Sequence, residues 1–486
     1  MKKVILSLIF VLMLCTANVY AADYIVTVKE GADVSGYEMQ TVFEEIGLYI
    51  ADEATAKELY DRGLAEKITE NSPLYLPDDE YSKTADESII SGTDELVPLS
   101  SDYNDPYYSE EVYFAQNGIK DYIDTYKPSG KVRIAVIDTG VNREHRDFAN
   151  ADIETGYNYV TDSTDTSDLY GHGTMVTGII ASGANDGSGM AGIAPNATIV
   201  PLVAMTKIDG ATAGTAAHLL LAMKAAVDTY DCKILTTSLG VTSGYSEINK
   251  AAQYAISKGV IVIGAAGNDG ESTDTDAASR LYYPASSPGV ISVGALDTNM
   301  VRASYSQKNT RIDVALCGGY FNMPSNSSAT GYKKGRGTSF SAPVAAGITA
   351  LFVSNHPDII PKEYYYIIKG SAMDIADLGD GDYLGSGAPM MMQMEEMYNN
   401  THPVYIAPVY KGSTNNIKIY CDGSVTKGVL VCVEFDNDVI SNCEFVDIAL
   451  ANGFTYISST AGSSTIRYFV IESLDSMKSL SLAQDY

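Results

Sequence analysis

The chain has few basic residues for its size. Its 486 residues include 32 lysines and arginines against 61 aspartates and glutamates, so the formal net charge is −29 at pH 7. Nucleic acid and anionic membrane surfaces are themselves negative and would repel such a surface. The composition therefore argues against both as the main partner, and we expect a soluble protein.

Long apolar segments are also missing after the first 21 residues, which argues against a membrane span. The apolar stretch 4–14 is too short to cross a bilayer. It follows Lys2 and Lys3 and precedes Val19 and Ala21, which supply small residues at the two key positions before a cut. We predict a signal peptide over residues 1–21 and a secreted or extracellular protein.

Cysteine and histidine are scarce. The five cysteines after residue 21 are an odd number, and their spacing is not that of a zinc site. We expect most of them to be buried small hydrophobic residues, while a disulfide within Cys421, Cys432 and Cys443 stays open. The chain has only five histidines, so histidine chemistry has few candidates.

Composition divides the remaining chain into three parts. Residues 22–100 combine a strand pattern at 24–28, helix formers over 38–51 and 53–67, and a loose acidic, Ser- and Pro-containing stretch from 71 to 101. They predict a small α+β module followed by a linker. Residues 101–400 form the second part, and residues 401–486, with short strand patterns between polar turns, predict a β-sandwich-like accessory domain.

Strand and helix patterns alternate through the second part. Apolar strands such as 132–137, 198–203 and 260–265 are separated by helical periodicities such as 215–230. This rhythm predicts an α/β fold with a mostly parallel sheet and helices on both faces. Ligands of such sheets bind beyond the carboxyl ends of the strands.

Three short glycine-rich segments carry candidate chemistry. They are residues 136–140 (Val-Ile-Asp-Thr-Gly), 171–174 (Gly-His-Gly-Thr) and 337–343 (Gly-Thr-Ser-Phe-Ser-Ala-Pro). The hydroxyl of Ser339 is a weak nucleophile until a base removes its proton, and His172 is a suitable base. Asp138 could orient the imidazole. Ser341 is a rival nucleophile, and the Asp-Thr-Gly triplet also occurs in aspartic proteases, although the His and Ser segments would then have no role.

In this order and in these frames the segments resemble the subtilisin-like (subtilase) serine proteases, whose Asp…His…Ser order differs from that of chymotrypsin and the α/β-hydrolases. The resemblance covers about residues 130–385. It implies that Asn268 donates to the oxyanion of the intermediate. It also implies that a set of backbone and pocket residues binds the substrate: Ser238, Leu239, Gly240, Ala265, Ala266 and Gly267.

The same resemblance implies partners and ions. The first module would be an inhibitory propeptide, removed by a cut between residues 76 and 103. No cofactor is implied for the chemistry, whereas a structural calcium ion is implied at Asp147, Asn185 and Asp186, whose oxygen ligands suit it. We expect protein or peptide substrates and a monomer.

The sequence thus predicts a secreted serine endopeptidase, made as a zymogen, that acts through an Asp-His-Ser triad and an acyl-enzyme. One alternative is a catalytically silent surface or binding protein on the same scaffold, which would usually lack one catalytic group. Another is an esterase, which a peptide-length groove would disfavour. The natural substrate, the side-chain preference and the role of residues 401–486 stay open.

Overall fold

The structure is a computed structural model. It describes residues 24–76, 103–242, 246–373, 375, 383–399, 404–406, 416–421, 425–436, 439–450, 453–458, 465–471, 473 and 484–485. The predicted signal peptide and residues 77–102, which include most of the predicted linker, lie outside the described residues. The predicted boundaries near residues 21, 100 and 400 therefore stay predictions.

The strands in chain order are β1 (Tyr24–Val28), β2 (Gln40–Phe43), β3 (Leu48–Ala51), β4 (Ala65–Glu70), β5 (Arg133–Asp138), β6 (Asp152–Ile153), β7 (Tyr157–Asn158), β8 (Thr198–Val203), β9 (Thr206–Ile208), β10 (Ala211–Ala213), β11 (Ile234–Thr237), β12 (Ile261–Ala265), β13 (Ile291–Leu296), β14 (Val314–Cys317), β15 (Gly319–Pro324), β16 (Tyr332–Arg336), β17 (Ala372–Met373), β18 (Ala388–Pro389), β19 (Val404–Ile406), β20 (Asn416–Cys421), β21 (Lys427–Asp436), β22 (Val439–Ala449), β23 (Gly453–Ser458), β24 (Thr465–Ile471) and β25 (Gln484–Asp485). The α-helices are α1 (Glu53–Asp61), α2 (Tyr113–Gln116), α3 (Ile119–Tyr126), α4 (His172–Ala181), α5 (Ala216–Asp228), α6 (Ser246–Ser257), α7 (Thr275–Ala278), α8 (Thr338–Asn355), α9 (Pro361–Gly370) and α10 (Met391–Tyr398). Short 3₁₀ turns lie at Glu44–Ile46, Tyr108–Glu110 and Arg146–Phe148.

A parallel sheet forms the centre of the fold. Its strand order is β14-β13-β12-β11-β5-β8-β6, and β7 pairs with β8 beside β6. Each of these pairs is parallel. The predicted α/β fold class is therefore confirmed.

Helices cover both faces of this sheet because its strands are apolar on both sides. In β5, Ile134 and Val136 pack into one apolar cluster with residues of α4 and α8. The alternate residues Ala135 and Ile137 pack into a second cluster with residues of α5 and α6. Burying each Ile or Val side chain stabilises the fold by about 1.5–3 kcal/mol, so continuous apolar strands of this kind are stable only between two layers.

The carboxyl ends of three neighbouring strands bring distant residues together. Asp138 is the last residue of β5, Thr237 the last of β11 and Ala265 the last of β12. These strands are adjacent in the order β12-β11-β5. Residues that end or follow them therefore meet at one edge of the sheet, where ligands of open α/β sheets bind.

The first module is a separate four-stranded antiparallel sheet, ordered β2-β3-β1-β4, with α1 on one side. The helix expected over residues 38–51 was wrong, because this stretch is β2, a 3₁₀ turn and β3. Gly47 has a φ of 66° at the end of the 3₁₀ turn, and the chain then returns as a strand beside β1. The face of the sheet opposite α1 packs into the same apolar cluster as α5 and α6.

The last part of the chain is β-rich, as expected. Its described strands form two antiparallel sheets, ordered β19-β20-β23 and β22-β21-β24-β25. Cys232, Cys317 and Cys421 are buried and carry no disulfide. Within the described ranges, the longest apolar helices fall short of what crossing a bilayer requires.

Candidate active site

Asp138 and His172 form a buried pair at the carboxyl edge of the sheet. Nδ1 of His172 lies 2.8 Å from Oδ1 of Asp138, and both side chains are almost fully buried. The same carboxylate oxygen accepts the backbone N–H of Thr139 at 2.8 Å. Since a carboxylate can only accept, the imidazole carries its proton on Nδ1, and Nε2 is left as the basic nitrogen.

The glycines beside His172 allow this close approach. A Cβ on Gly173 would lie 2.3 Å from the carbonyl oxygen of Gly140 and 3.1 Å from Oδ1 of Asp138, so any larger residue would push α4 away from β5. Gly171 has a φ of 107°, a conformation that other residues rarely adopt. These two positions explain why glycines flank the histidine.

Asp168 holds the beginning of α4, and sequence reasoning missed it. Its Oδ1 accepts the hydroxyl of Thr139 and the N–H groups of Tyr170 and Gly171, at 2.9, 3.0 and 2.6 Å. Its Oδ2 accepts the N–H and the hydroxyl of Thr174, at 2.9 and 2.6 Å. The available signal was an aspartate just before a helix, because carboxylates there satisfy backbone N–H groups that have no partner within the helix.

Ser339 lies in the first turn of α8 and is fully buried. Within the part of the chain that the structure describes, its Oγ has no hydrogen-bond partner. Its carbonyl oxygen would normally accept the N–H four residues later, but that residue is Pro343, which has none. The hydroxyl of Ser238 donates to this carbonyl instead, at 3.0 Å, and so ties the predicted substrate-binding segment to the serine.

The beginnings of α4 and α8 lie side by side. The ring of Phe340, which follows Ser339, is 5.5 Å from the ring of His172, measured between centroids. The structure thus brings the segments of all three predicted catalytic residues to one edge of the sheet.

Asn268 is fixed against the same helix. Its Oδ1 accepts the backbone N–H of Thr338 at 2.8 Å and the hydroxyl of Thr338 at 3.0 Å. That hydroxyl also accepts the N–H of Gly267, at 3.1 Å. These bonds hold the carbonyl end of the Asn268 amide against the beginning of α8, and its NH₂ group is the donor end of the same amide.

The rival residues have structural contacts. The hydroxyl of Ser341 donates to the carbonyl of Leu316, at 3.0 Å. His145 and His218 are buried, and burial lowers the pKa of each to about 4, so both are neutral at pH 7. His356 lies 2.8 Å from Glu395 in an ion-pair geometry. The remaining histidine, at position 402, lies outside the described residues.

Four of the six predicted substrate residues border a narrow indentation at this edge. Ser238, Leu239, Gly240 and Ala265 line it, together with Gly264, Tyr282, Tyr283 and Ala285. The other two predicted residues are not part of this lining: the N–H of Ala266 donates to the carbonyl of Val293, and Gly267 lies under the ring of Tyr282.

A segment of the first module lies across this edge. The N–H of Tyr75 donates to the carbonyl of Gly240 at 2.8 Å, and the N–H of Gly240 donates to the carbonyl of Tyr75 at 3.0 Å. The N–H of Leu74 donates to the carbonyl of Gly214 at 3.0 Å. The end of the module therefore pairs as an antiparallel strand with the predicted substrate-binding segment, although the sequence indicated only a linker from residue 71.

The three residues predicted to bind calcium have protein partners in this structure. Asp147 is buried and accepts the hydroxyl of Tyr332, and burial raises the pKa of its carboxyl group to about 6. Asn185 and Asp186 are held through their backbone N–H groups, which donate to Asp105. Throughout the described ranges, no three His, Cys, Asp or Glu side chains are grouped to hold a metal ion. The calcium site at these residues therefore stays a prediction.

Comparisons with known proteins agree with this geometry. A family model described as "Subtilase family" matches residues 129–387. The thermophilic serine proteinase of Bacillus sp. (strain AK1) is 37% identical over 285 residues, which are 58% of this chain and 67% of the relative. Subtilisin DY of Bacillus licheniformis is 32% identical over 258 residues, covering 53% and 88%. Fervidolysin of Fervidobacterium pennivorans matches in fold, with a TM-score of 0.61 at 19% identity over 92% of this chain and 70% of its own.

Proposed function

The chain belongs to the subtilase family and is a serine-type endopeptidase, and from this premise we propose that Asp138, His172 and Ser339 are its catalytic triad. Oγ of Ser339 attacks the carbonyl carbon of a peptide bond while Nε2 of His172 takes its proton. The histidine then gives that proton to the leaving amine. Water attacks the acyl-enzyme by the same route and releases the second product.

The buried hydrogen bond between Asp138 and His172 carries this proposal. At 2.8 Å it selects the tautomer in which Nε2 can accept a proton. The carboxylate also stabilises the imidazolium that forms in the transition state. The beginning of α8 adds N–H groups that favour negative charge near Ser339.

Asn268 would stabilise the tetrahedral intermediate. Thr338 fixes the carbonyl end of its amide, so the NH₂ group needs little reorganisation when the oxyanion develops. The backbone N–H of Ser339 would be the second donor. No metal ion or cofactor takes part in these steps.

The first module would act as an inhibitory propeptide, so the protein would be made as a zymogen. Two contacts support this role. Tyr75 pairs with Gly240 where a substrate strand would bind. Glu247, at the beginning of α6, is fully buried beneath the module and accepts hydrogen bonds from Lys67 and Thr69 of β4, each at 3.1 Å.

Apolar packing extends this interface. The ring of Phe43 meets that of Tyr254 edge to face, with centroids 5.2 Å apart. The ammonium group of Lys224 lies 5.2 Å from the Phe43 ring and pairs with Glu45 at 3.2 Å. A module held by both apolar and charged contacts can stay bound after its peptide link to the enzyme is cut.

Export completes the proposal. Residues 1–21 have the pattern of a signal peptide, and the substrates would be proteins or peptides outside the cell. We further propose that the protein acts as a monomer.

Self-processing tests the proposed function. Wild type produced in a protease-deficient host should cut itself between residues 76 and 103, whereas Ser339→Ala should stay full length, because it lacks the attacking hydroxyl. Ser341→Ala is the matched control and should still process, since the Ser341 hydroxyl contacts the Leu316 carbonyl. Equal processing of wild type and Ser339→Ala, measured by intact mass, would contradict the proposal.

A further inference from the structure

Residues 73–76 bind the cleft as an extended strand with alternating faces. Leu74 and Leu76 are buried in the apolar cluster that contains Leu239 and Val241. Tyr75, between them, points to the opposite side, as successive residues of a strand must. Its ring stacks on that of Tyr282, with centroids 5.4 Å apart and an interplanar angle of 22°.

Tyr282 is a rigid platform for this contact. Its side chain is buried, and its hydroxyl donates to Oδ2 of Asp269. Its ring lies directly on the main chain of Gly267, where an added Cβ would be 2.4 Å from Cδ2 of the ring. Gly267 also has a φ of 113°, so this position favours glycine for two reasons. The ring therefore needs little ordering when a partner binds.

The register of the strand relates this platform to the reacting serine. Tyr75 pairs with Gly240 in an antiparallel bridge. In an antiparallel pair, the residue two positions after Tyr75 in a bound peptide comes opposite Ser238. The hydroxyl of Ser238 holds the carbonyl of Ser339. A substrate in this register thus presents the bond after that residue to the nucleophile.

We propose that Tyr282 forms an aromatic subsite that selects peptides with Tyr or Phe at the third residue before the cut bond. The preference rests on the proposed function, because it treats residues 73–76 as a bound analogue of the substrate. The residues on either side of the aromatic one would be apolar, as Leu74 and Leu76 are. The substrate class is therefore an extended segment of the pattern apolar-aromatic-apolar, cut one residue after its end.

Quenched fluorescent peptides test the subsite. The series Ser-Pro-Leu-X-Leu-Ala-Ser-Gly, with X as Tyr, Phe, Leu or Ala, is given to the self-processed protein, and kcat/KM is measured. Tyr and Phe should exceed Leu by about 2- to 12-fold, the range expected for one aromatic pair beyond its buried area. Mass spectrometry of the fragments should place the cut after the Ala. Equal values for Tyr and Leu, or a cut at another bond, would overturn the subsite.

Variants of Tyr282 locate the preference. Tyr282→Phe keeps the ring and should keep the ratio of Tyr to Leu peptides, whereas Tyr282→Leu removes the ring and should bring the ratio close to one. A ratio that survives in Tyr282→Leu would overturn the role of this residue.

A fluorophosphonate probe distinguishes failure of the subsite from failure of the proposed function. If the enzyme reacts with the probe but shows no preference for Tyr and Phe peptides, only the subsite is contradicted. If the enzyme does not react with the probe, the proposed function is contradicted, and the subsite with it.

Discussion

Replacing Asp168 by Asn should lower activity by more than its effect on folding stability explains, because Asp168 positions the helix that carries the histidine of the proposed triad. The Asp168 carboxylate accepts five hydrogen bonds, three on one oxygen and two on the other. An Asn side chain has only one oxygen. If that oxygen keeps the three bonds from Thr139, Tyr170 and Gly171, the NH₂ group must point toward Thr174. The hydroxyl of Thr174 can rotate to accept, but its backbone N–H cannot.

The expected loss of stability follows from the backbone N–H of Thr174, which would face the NH₂ group of Asn and have no acceptor there. A hydrogen bond to a charged group contributes about 1.5–3 kcal/mol, so we expect the free energy of unfolding to fall by about 2–3 kcal/mol. For a domain of about 300 residues, whose unfolding entropy is about 0.6 kcal/mol/K, the Tm should fall by about 3–5 °C. The variant should still be folded at 25 °C.

The catalytic loss should be larger than the stability loss suggests. The bond that is lost holds the N–H of Thr174, which lies two residues after His172 in the first turn of α4, so its loss loosens the turn that carries the imidazole. Misplacing a catalytic group by about 1 Å can cost about 10²-fold. We expect kcat to fall about 10- to 100-fold at 25 °C with KM nearly unchanged, because the substrate strand is built from other elements.

Peptide hydrolysis and thermal melting of the same preparations measure both effects. Asp209→Asn is the matched control, because Asp209 is exposed and its φ of 50° is one that Asn tolerates. It should change neither kcat nor Tm. A normal kcat in Asp168→Asn together with a lowered Tm would refute the positioning role, and two unchanged values would refute the whole argument.

Three further predictions concern the interface, a buried histidine and calcium. Glu247→Gln should weaken docking of the first module by about 1–2 kcal/mol, since it removes the charge that faces half-exposed Lys67; unchanged co-elution of the cut module with the enzyme would contradict this. Burial holds the pKa of His218 at about 4, below its unfolded value of about 6.5, so its contribution to stability is present above pH 6.5 and is lost as the pH falls toward 4. We therefore compare the Ser339→Ala protein with the double variant that also carries His218→Asn. The difference in their free energies of unfolding should shrink by about 2–3 kcal/mol between pH 7.5 and 4.5, and a constant difference in urea titrations would rule this out. Because the predicted calcium ligands have protein partners, a calcium chelator should leave the Tm of the same Ser339→Ala protein unchanged, whereas a clear fall would support the calcium site predicted from sequence.

The parallel sheet was predictable because its signal is local. Strands such as β5 and β8 are continuous apolar runs, which only a sheet covered on both faces accommodates. The edge at which Asp138, Ser238 and Asn268 meet then follows from strands that end together. The residues of the predicted triad stand in short glycine-rich frames, so a single sequence sufficed to select them.

Contacts between distant segments were not predictable in this way. Residues 38–51 contain good helix formers, but pairing of β3 with β1 outweighs that weak preference. The strand at residues 73–76 lacked any local signal, because its partners Gly214 and Gly240 lie more than a hundred residues later. Asp168 offered only the weak local signal of an aspartate shortly before a helix, and its bond to Thr139, which follows β5, could not be derived from the sequence.

Covalent labelling tests the central claim most directly. Wild-type protein treated with a fluorophosphonate should gain one adduct, and peptide mapping by mass spectrometry should place it on Ser339, with none in His172→Ala. An adduct on Ser341, or no adduct on a protein that has processed itself, would contradict the account of how this chain cuts peptide bonds.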